Sequence, residues 1–293
     1  MLTTLAACSS DGVAPAATRA TIPVSADGTL ANPFRVGRPL VIPHAGGDAL
    51  FPENTLYAFE QSQALGGDVI DIDVWVSADG VPVAMHDSTV DRTTDGTGAV
   101  GDLTAQQLSK LDAAYDFTSD GGHPYRGTGI GVPTVEQILR RFPDRLATLD
   151  MKDQRTGSAE PVCALLQSLK RSSRTYVGVD TNDQVVAFRQ NCPEIYTSGT
   201  SEERQASRTA RETNDLTFRS NQLVSQPGFI GSDGARRVTA TTLEFSHRNG
   251  TAVLTWIVDE PAMMSELIDM GIDGIYTRRP DLLLTVLRAR GLL

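Results

Sequence analysis

Cysteine, tryptophan and histidine are scarce in this chain, with three, two and four residues among 293. The cysteines are Cys8, Cys163 and Cys192, and none forms a CxxC or a Cys/His spacing, so a zinc site finds no support. Positive charge is short as well. Lys and Arg number 26 against 36 Asp and Glu, a net charge of −10, which excludes the broad basic face of a nucleic-acid binder. Beyond the first residues, no apolar run approaches the roughly 20 residues of a membrane span. No repeat recurs at a fixed period, and nothing in the sequence points to a protein partner. An acidic chain that handled an anionic small molecule would need a local source of positive charge, which a bound metal ion supplies.

The N-terminus bears on compartment. Leu5-Ala6-Ala7-Cys8, followed by Ser9, Ser10 and Asp11, is similar to the lipobox of bacterial lipoproteins, whose cysteine is lipidated and becomes the mature N-terminus. No basic n-region and almost no apolar h-region precede it, so the expectation is a start codon further upstream. Residues 9–33 are rich in Ala, Ser, Thr, Pro and Gly and read as a tether with little to pack. The expected division is therefore a signal remnant and tether over 1–33 and one globular domain over 34–293. The expected location is extracytoplasmic, secreted or anchored to the cell envelope through a lipidated Cys8. Cys163 and Cys192 fit two readings, a disulfide suited to an oxidising compartment or two buried thiols.

From Leu40 onward, short apolar runs alternate with helical patterns. Leu40–Ile42, Val69–Val74, Leu146–Met151, Tyr176–Val179, Ala252–Val258 and Gly274–Tyr276 read as strands. Ile195-Tyr196 and Leu223-Val224 are weaker candidates. Helices are expected over Thr55–Leu65 with Asn54 as N-cap, Thr134–Arg141, Ala159–Lys170, Asp183–Gln190, Glu202–Glu212, Pro261–Met270 and Asp281–Arg288. Residues 88–131 are polar and glycine-rich, with a short helix near Ala105–Leu111, and read as an excursion over one mouth of the fold. Alternating βα units imply a buried parallel sheet. At this length a closed (β/α)8 TIM barrel, with its excursion after the second strand region, is the expected α/β architecture. An open doubly wound sheet is the alternative.

In such a barrel the site lies where strands end, and the early strands end in ionisable groups. His44 closes the first strand. Asp71 and Asp73 stand two apart on the second, so both face one side. His86-Asp87 follows the next apolar run, and Asp150 and Lys152 repeat the two-apart pattern. Two inward carboxylates with apolar neighbours repel each other and are poorly solvated, which a cation would relieve. Oxygen-only ligands favour Mg²⁺ or Ca²⁺. Asp150 would be a third ligand and Lys152 a contact to phosphate oxygen; the other reading is a plain salt bridge from Lys152 to a carboxylate, with no metal. His44 and His86 at one mouth suit an acid and a base on opposite sides of a phosphodiester.

Several separated stretches resemble one family, the glycerophosphodiester phosphodiesterases. Its H-R-G and P-E-N-T are matched by His44-Ala45-Gly46 and Pro52-Glu53-Asn54-Thr55. Its acidic-x-acidic strand, D-G turn and H-D correspond to Asp71-Ile72-Asp73, Asp79-Gly80 and His86-Asp87. Arg92-Thr93-Thr94 resembles its R-T-T, and Leu149-Asp150-Met151-Lys152 its L-E-I-K. Trp256 and Gly271–Thr277, with Pro280-Asp281, are similar to its closing motifs. The resemblance runs from about residue 40 to 285 and is weak between about 155 and 245. It implies metal-dependent hydrolysis of glycerophosphodiesters to an alcohol and glycerol 3-phosphate. It also implies a metal on Asp71, Asp73 and Asp150, an acid/base pair of His44 and His86, and a phosphate contact from Lys152. Glu53 and Asn54 would order the first loop, with Glu53 also a candidate substrate or metal contact, and Trp256 would be an apolar wall for the substrate.

The chain departs from the family at three of these positions. Ala45 stands in place of an arginine, and an alanine has no bidentate fork. Asp71 and Asp150 stand where glutamate is usual. Two further readings follow: a barrel lipoprotein that binds phosphodiesters without turnover or with altered specificity, and a phospholipase D-like barrel enzyme. The second would call for an apolar membrane-facing loop, and the excursion, with Ser119-Asp120-Gly121-Gly122, does not read as one.

Overall fold

The computed structural model describes residues 32–293. Cys8 and nearly all of the expected tether lie outside the described residues. The strands are β1 (Leu40–Pro43), β2 (Val69–Val76), β3 (Pro82–Ala84), β4 (Leu146–Met151), β5 (Thr175–Gly178), β6 (Tyr196–Thr197), β7 (Val224–Ser225), β8 (Ala252–Thr255) and β9 (Gly274–Thr277). They form two hydrogen-bonded runs, β1-β9-β8-β7 and β3-β2-β4-β5-β6. All pairings are parallel except β2 with β3. The eight parallel strands make the ring of a (β/α)8 barrel. The run Val81–Met85 holds β3, which turns back against β2 as a hairpin arm and is not a barrel stave.

Where β1 meets β2, the side chain of Asp68 takes part of the role of a ladder. Its backbone N–H donates to Val41 O at 2.9 Å. Its carboxylate accepts from Val41 N at 2.8 Å and from the Arg38 fork at 2.7 Å on each oxygen.

Helices α1 (Leu56–Leu65), α3 (Val135–Arg141), α4 (Ala159–Ser168), α5 (Asn182–Asn191), α6 (Ser201–Glu212), α7 (Ala240–Arg248), α8 (Pro261–Met270) and α9 (Pro280–Ala289) surround the strands, and the short α2 (Ala105–Leu108) lies in the excursion. Strand alternation explains the layers. On β2, Ile70, Ile72 and Val74 point outward with Ala147, Leu149 and Met151 of β4, against Ile138, Val162, Leu166 and Phe188 of the helices. Burying side chains of this size stabilises the fold by roughly 1.5–3 kcal/mol each. The opposite parity, with Leu40, Ile42, Val69, Tyr176, Tyr196, Leu254 and Tyr276, fills the barrel interior together with Phe34.

Cys163 on α4 and Cys192 at the end of α5 form a disulfide with a Cα–Cα separation of 5.6 Å, which resolves the two readings in favour of the pair. The N-cap of α1 differs from expectation. Thr55 is the cap, its hydroxyl accepting from Ala58 N at 3.1 Å. That leaves the Asn54 side chain free to turn inward. No helix among the described residues is long and apolar enough to cross a membrane.

Candidate active site

The register of β2 and β4 builds the floor. Asp71 pairs with Thr148 and Asp73 with Asp150, so Asp73 and Asp150 are cross-strand neighbours on the inner face. Asp71 is buried. Its oxygens accept from Thr148 Oγ1 at 2.8 Å and from the Ala45 backbone N–H at 3.2 Å. Burial first, and then the Asp73 charge, push its carboxyl up to about 7, against the lowering effect of His44 and of these donors. Asp73 accepts from Asn54 Nδ2 at 2.8 Å, and its own N–H donates back to Asn54 Oδ1 at 3.1 Å. Lys152 Nζ lies 2.6 Å from Asp150 Oδ2 and 3.3 Å from Asp73 Oδ1. The salt bridge read as the alternative for Lys152 is thus present. Burial also raises the Asp150 carboxyl, while Lys152 lowers it.

The loop after β1 forms one wall. Ala45 adopts a left-handed backbone, φ 46, and Asn54 does so at φ 54. Both conformations are uncommon without glycine and are held by Asn54 N donating to Ala45 O at 2.8 Å. At position 45 the backbone amide does the work, closing over Asp71. Gly46 has φ 90, and a Cβ there would meet Ala58 Cβ at 2.8 Å, so the loop reaches α1 only with glycine at this point.

His44 Nδ1 lies 3.3 Å from Asp48 Oδ2. Burial works against its cationic form. Asp48, and the charges of Asp71 and Asp73, outweigh that and raise His44 to about 9. Across the cavity, His86 Nδ1 is 2.7 Å from Asp87 Oδ1, and Trp75 Nε1 donates to the His86 carbonyl at 3.1 Å. Arg92 Nε donates to Asp87 Oδ2 at 2.6 Å, and its two terminal nitrogens reach Glu53 at 2.9 and 2.6 Å.

His44, Ala45, Asp48, Glu53, Asp73, His86, Asp87 and Arg92 line one cavity of about 230 Å³. A wider surface hollow along α6, about 810 Å³, is lined from Ser201 to Phe218 and contains no histidine. Trp256, with its side chain half exposed, stands after β8 and is anchored by Nε1 to Gln226 O at 2.8 Å. Both histidines, Asp73 and Glu53 therefore meet at one opening, Asp71 and Asp150 join them through the strand register, and Lys152 joins through its ion pairs with Asp73 and Asp150. Asp48 and Arg92 carry no role in the sequence reading. Arg92 lay in a matched motif; for Asp48, only its four-residue distance from His44 was visible. Among the described residues no three acidic, histidine or cysteine side chains already converge as a metal cluster.

A family model described as the glycerophosphoryl diester phosphodiesterase family matches residues 44–282. The chain belongs to that family. As a member it is a phosphoric diester hydrolase. A glycerophosphodiester phosphodiesterase of Caldanaerobacter subterraneus is 28% identical over 262 residues, spanning 86% of this chain and 99% of that one. The fold is similar to the crystal structure of the glycerophosphoryl diester phosphodiesterase domain of Rv2277c from Mycobacterium tuberculosis, with a TM-score of 0.75 and 24% identity over 86% of this chain and 99% of that one. It is also similar to a phosphodiesterase of Oleispira antarctica in complex with its product sn-glycerol-3-phosphate, with a TM-score of 0.65 and 21% identity over 86% and 97% of the two chains.

Proposed function

We propose that this protein hydrolyses small glycerophosphodiesters to an alcohol and glycerol 3-phosphate, with His44 and His86 as its acid and base. One observation carries the reading: two histidines, each with its own carboxylate at Nδ1, line a single cavity beside Asp73. At His86 the Asp87 carboxylate accepts from Nδ1 and leaves Nε2 for the substrate, while at His44 Asp48 Oδ2 stands 3.3 Å from Nδ1 as an ion-pair partner. His44, beside Asp48, suits the proton donor to the leaving oxygen. His86 suits the base that takes the proton of the attacking hydroxyl. Trp256 gives the substrate's carbon skeleton an apolar wall. Lys152 is the cation nearest the acids and is the group we assign to a phosphate oxygen once the acids have another partner.

A divalent cation, Mg²⁺ or Ca²⁺, is part of this proposal. The donor set fits it in chemistry. Asp71 and Asp73 face inward on one strand, and Asp150 stands in register with Asp73, which gives oxygen donors only. Burial first, and then the Asp73 charge, raise the Asp71 carboxyl to about 7, a cost of ionisation that a cation beside it relieves. Asp71, Asp73 and Asp150 would hold the ion, which would neutralise charge on the phosphoryl oxygens.

The disulfide between Cys163 and Cys192 supports an extracytoplasmic location for the domain. The test of function is glycerol 3-phosphate release from glycerophosphocholine and glycerophosphoethanolamine with Mg²⁺, with Ca²⁺ and with chelator. Ion-dependent release is the expected result. No release by folded protein with either ion would replace this reading with a phosphodiester-binding role.

A further inference from the structure

The arginine at the cavity offers a second function beyond the two histidines. We propose that Arg92 is a positioning residue: it ties the loop carrying Glu53 to Asp87, and through Asp87 it fixes which nitrogen of His86 faces the cavity. The inference rests on the phosphodiesterase reading for the importance of His86, and its spectroscopic test does not depend on turnover.

The geometry runs as one chain of contacts. Arg92 grips Glu53 with both terminal nitrogens, at 2.9 and 2.6 Å. It holds Asp87 through Nε at 2.6 Å and through Nη2 at 3.3 Å. Asp87 then meets His86 Nδ1 at 2.7 Å. An ionised carboxylate only accepts, so the shared hydrogen sits on Nδ1 and Nε2 is left bare. Glu53 belongs to the loop that begins with His44, and Asp87 adjoins His86. One guanidinium thus spans the two segments that bear the histidines and sets them relative to each other.

A phosphate contact is the competing use of the same arginine, and charge and valence oppose it. Two carboxylates surround one guanidinium, leaving a local net charge of −1. Of its five N–H groups, four point at Glu53 or Asp87. An arriving phosphate would have to displace an ion pair to reach it. A lysine would not replace it either, because a single ammonium does not present a planar fork to two carboxylates at once.

The experiment uses the full chain with Arg92→Lys, Arg92→Gln and Asp87→Asn. Steady-state hydrolysis of glycerophosphocholine is measured, with glycerol 3-phosphate as competitor. ¹⁵N spectra of the four imidazoles are recorded at a pH where the rings are neutral, His86 being assigned through His86→Gln. Expected for both Arg92 variants is a kcat lower by about 10- to 100-fold, the scale on which the partners that orient a histidine act. KM and the inhibition constant of glycerol 3-phosphate should stay within about threefold. The His86 ring should change from the Nδ1–H form to a mixture of tautomers, and Asp87→Asn should reproduce that change with the Arg92–Glu53 pair intact. A rise of about tenfold or more in KM and in the inhibition constant at unchanged kcat would make Arg92 a phosphate contact and overturn the proposal. An unchanged His86 spectrum in Arg92→Gln and Asp87→Asn would overturn it too. If the native protein turns over no glycerophosphodiester, the phosphodiesterase reading fails, while the His86 spectra still decide the part played by Arg92.

Discussion

The two halves of the barrel are built alike and equipped differently. From β1 to β4, the strand ends and the loops after them deliver His44, Asp71, Asp73, His86, Asp150 and Lys152 to the mouth. From β6 to β9 the inward positions are Tyr196, Val224, Leu254 and Tyr276, and the residues directly after β7 and β8 are Gln226 and Trp256. The longest strands lie in the first half and the shortest in the second. β2 has eight residues and β4 six, whereas β6 and β7 have two each. A carboxylate held against another carboxylate needs a backbone that cannot slip, because a one-residue shift of register would turn Asp71 and Asp73 outward. The six-residue parallel ladder between β2 and β4 supplies that rigidity. The second half closes the ring with short strands.

The sharpest way to break this comparison is to remove the histidines. His44→Ala and His86→Ala should each lower kcat by about 10²- to 10⁴-fold, the range of general acid–base catalysis. The melting temperature of His86→Ala should stay close to native, since its side chain is 44% exposed. Near-native turnover in both variants would remove the acid/base assignment and with it the functional contrast between the halves.

Next in size is a stability effect confined to the outer layer behind the first half. The disulfide spans 29 residues, and closing a loop of that size stabilises by about 3–4 kcal/mol in the chain-entropy account. Cys163→Ser should lower the midpoint of urea unfolding by a matching amount and leave kcat at 25 °C near native, because neither cysteine lines the cavity. A large loss of turnover at full stability would mean that α4 and α5 shape the site directly.

A smaller effect is expected on the other side of the mouth. Trp256→Ala should raise KM by a few-fold and change kcat little, as befits a wall that binds substrate and transition state alike. A fall in kcat with unchanged KM would move Trp256 into the chemistry and weaken the contrast.

Much of the first half was legible in the sequence because its signals are local. The alternation of Val69–Val74 fixes which residues face inward, and the two-apart spacing of Asp71 and Asp73 is enough to place both carboxylates on one face. The short strands β6 and β7 were faint for the opposite reason. Two residues carry no period, and these strands are defined by neighbours far along the chain. The site was partly legible in the same sense. Asn54 read as an N-cap because Asn and Thr both suit that position, and only the fold shows Thr55 taking the cap while Asn54 binds Asp73. The ion pair of Arg92 with Glu53 joins residues 39 apart, and no local pattern announces it. Ala45 looked like a loss, yet its backbone N–H is a contact that any side chain at that position would leave in place.

The smallest expected effect tests whether the second half is held by local charge pairs in place of long strands. Glu203, in the capping box of α6, accepts from Arg189 at 2.9 and 2.7 Å and from Asn221 at 2.7 Å. Burial opposes its charged form, but Arg189, Asn221 and the Thr200 backbone prevail and lower its carboxyl to about 2. A carboxyl lowered in the folded state stabilises fully above its unfolded value, near 4.3, and that contribution is lost as pH falls through about 2. Glu203→Gln keeps a side chain suited to the capping box and removes only the charge. At neutral pH it should therefore melt a few degrees below native, with solvent screening keeping the difference small. The gap should shrink steadily as the pH is taken from about 4.3 toward about 2. A gap that stays constant with pH would mean that Glu203 acts through packing and hydrogen bonding alone, and that α5 and α6 are not joined by charge.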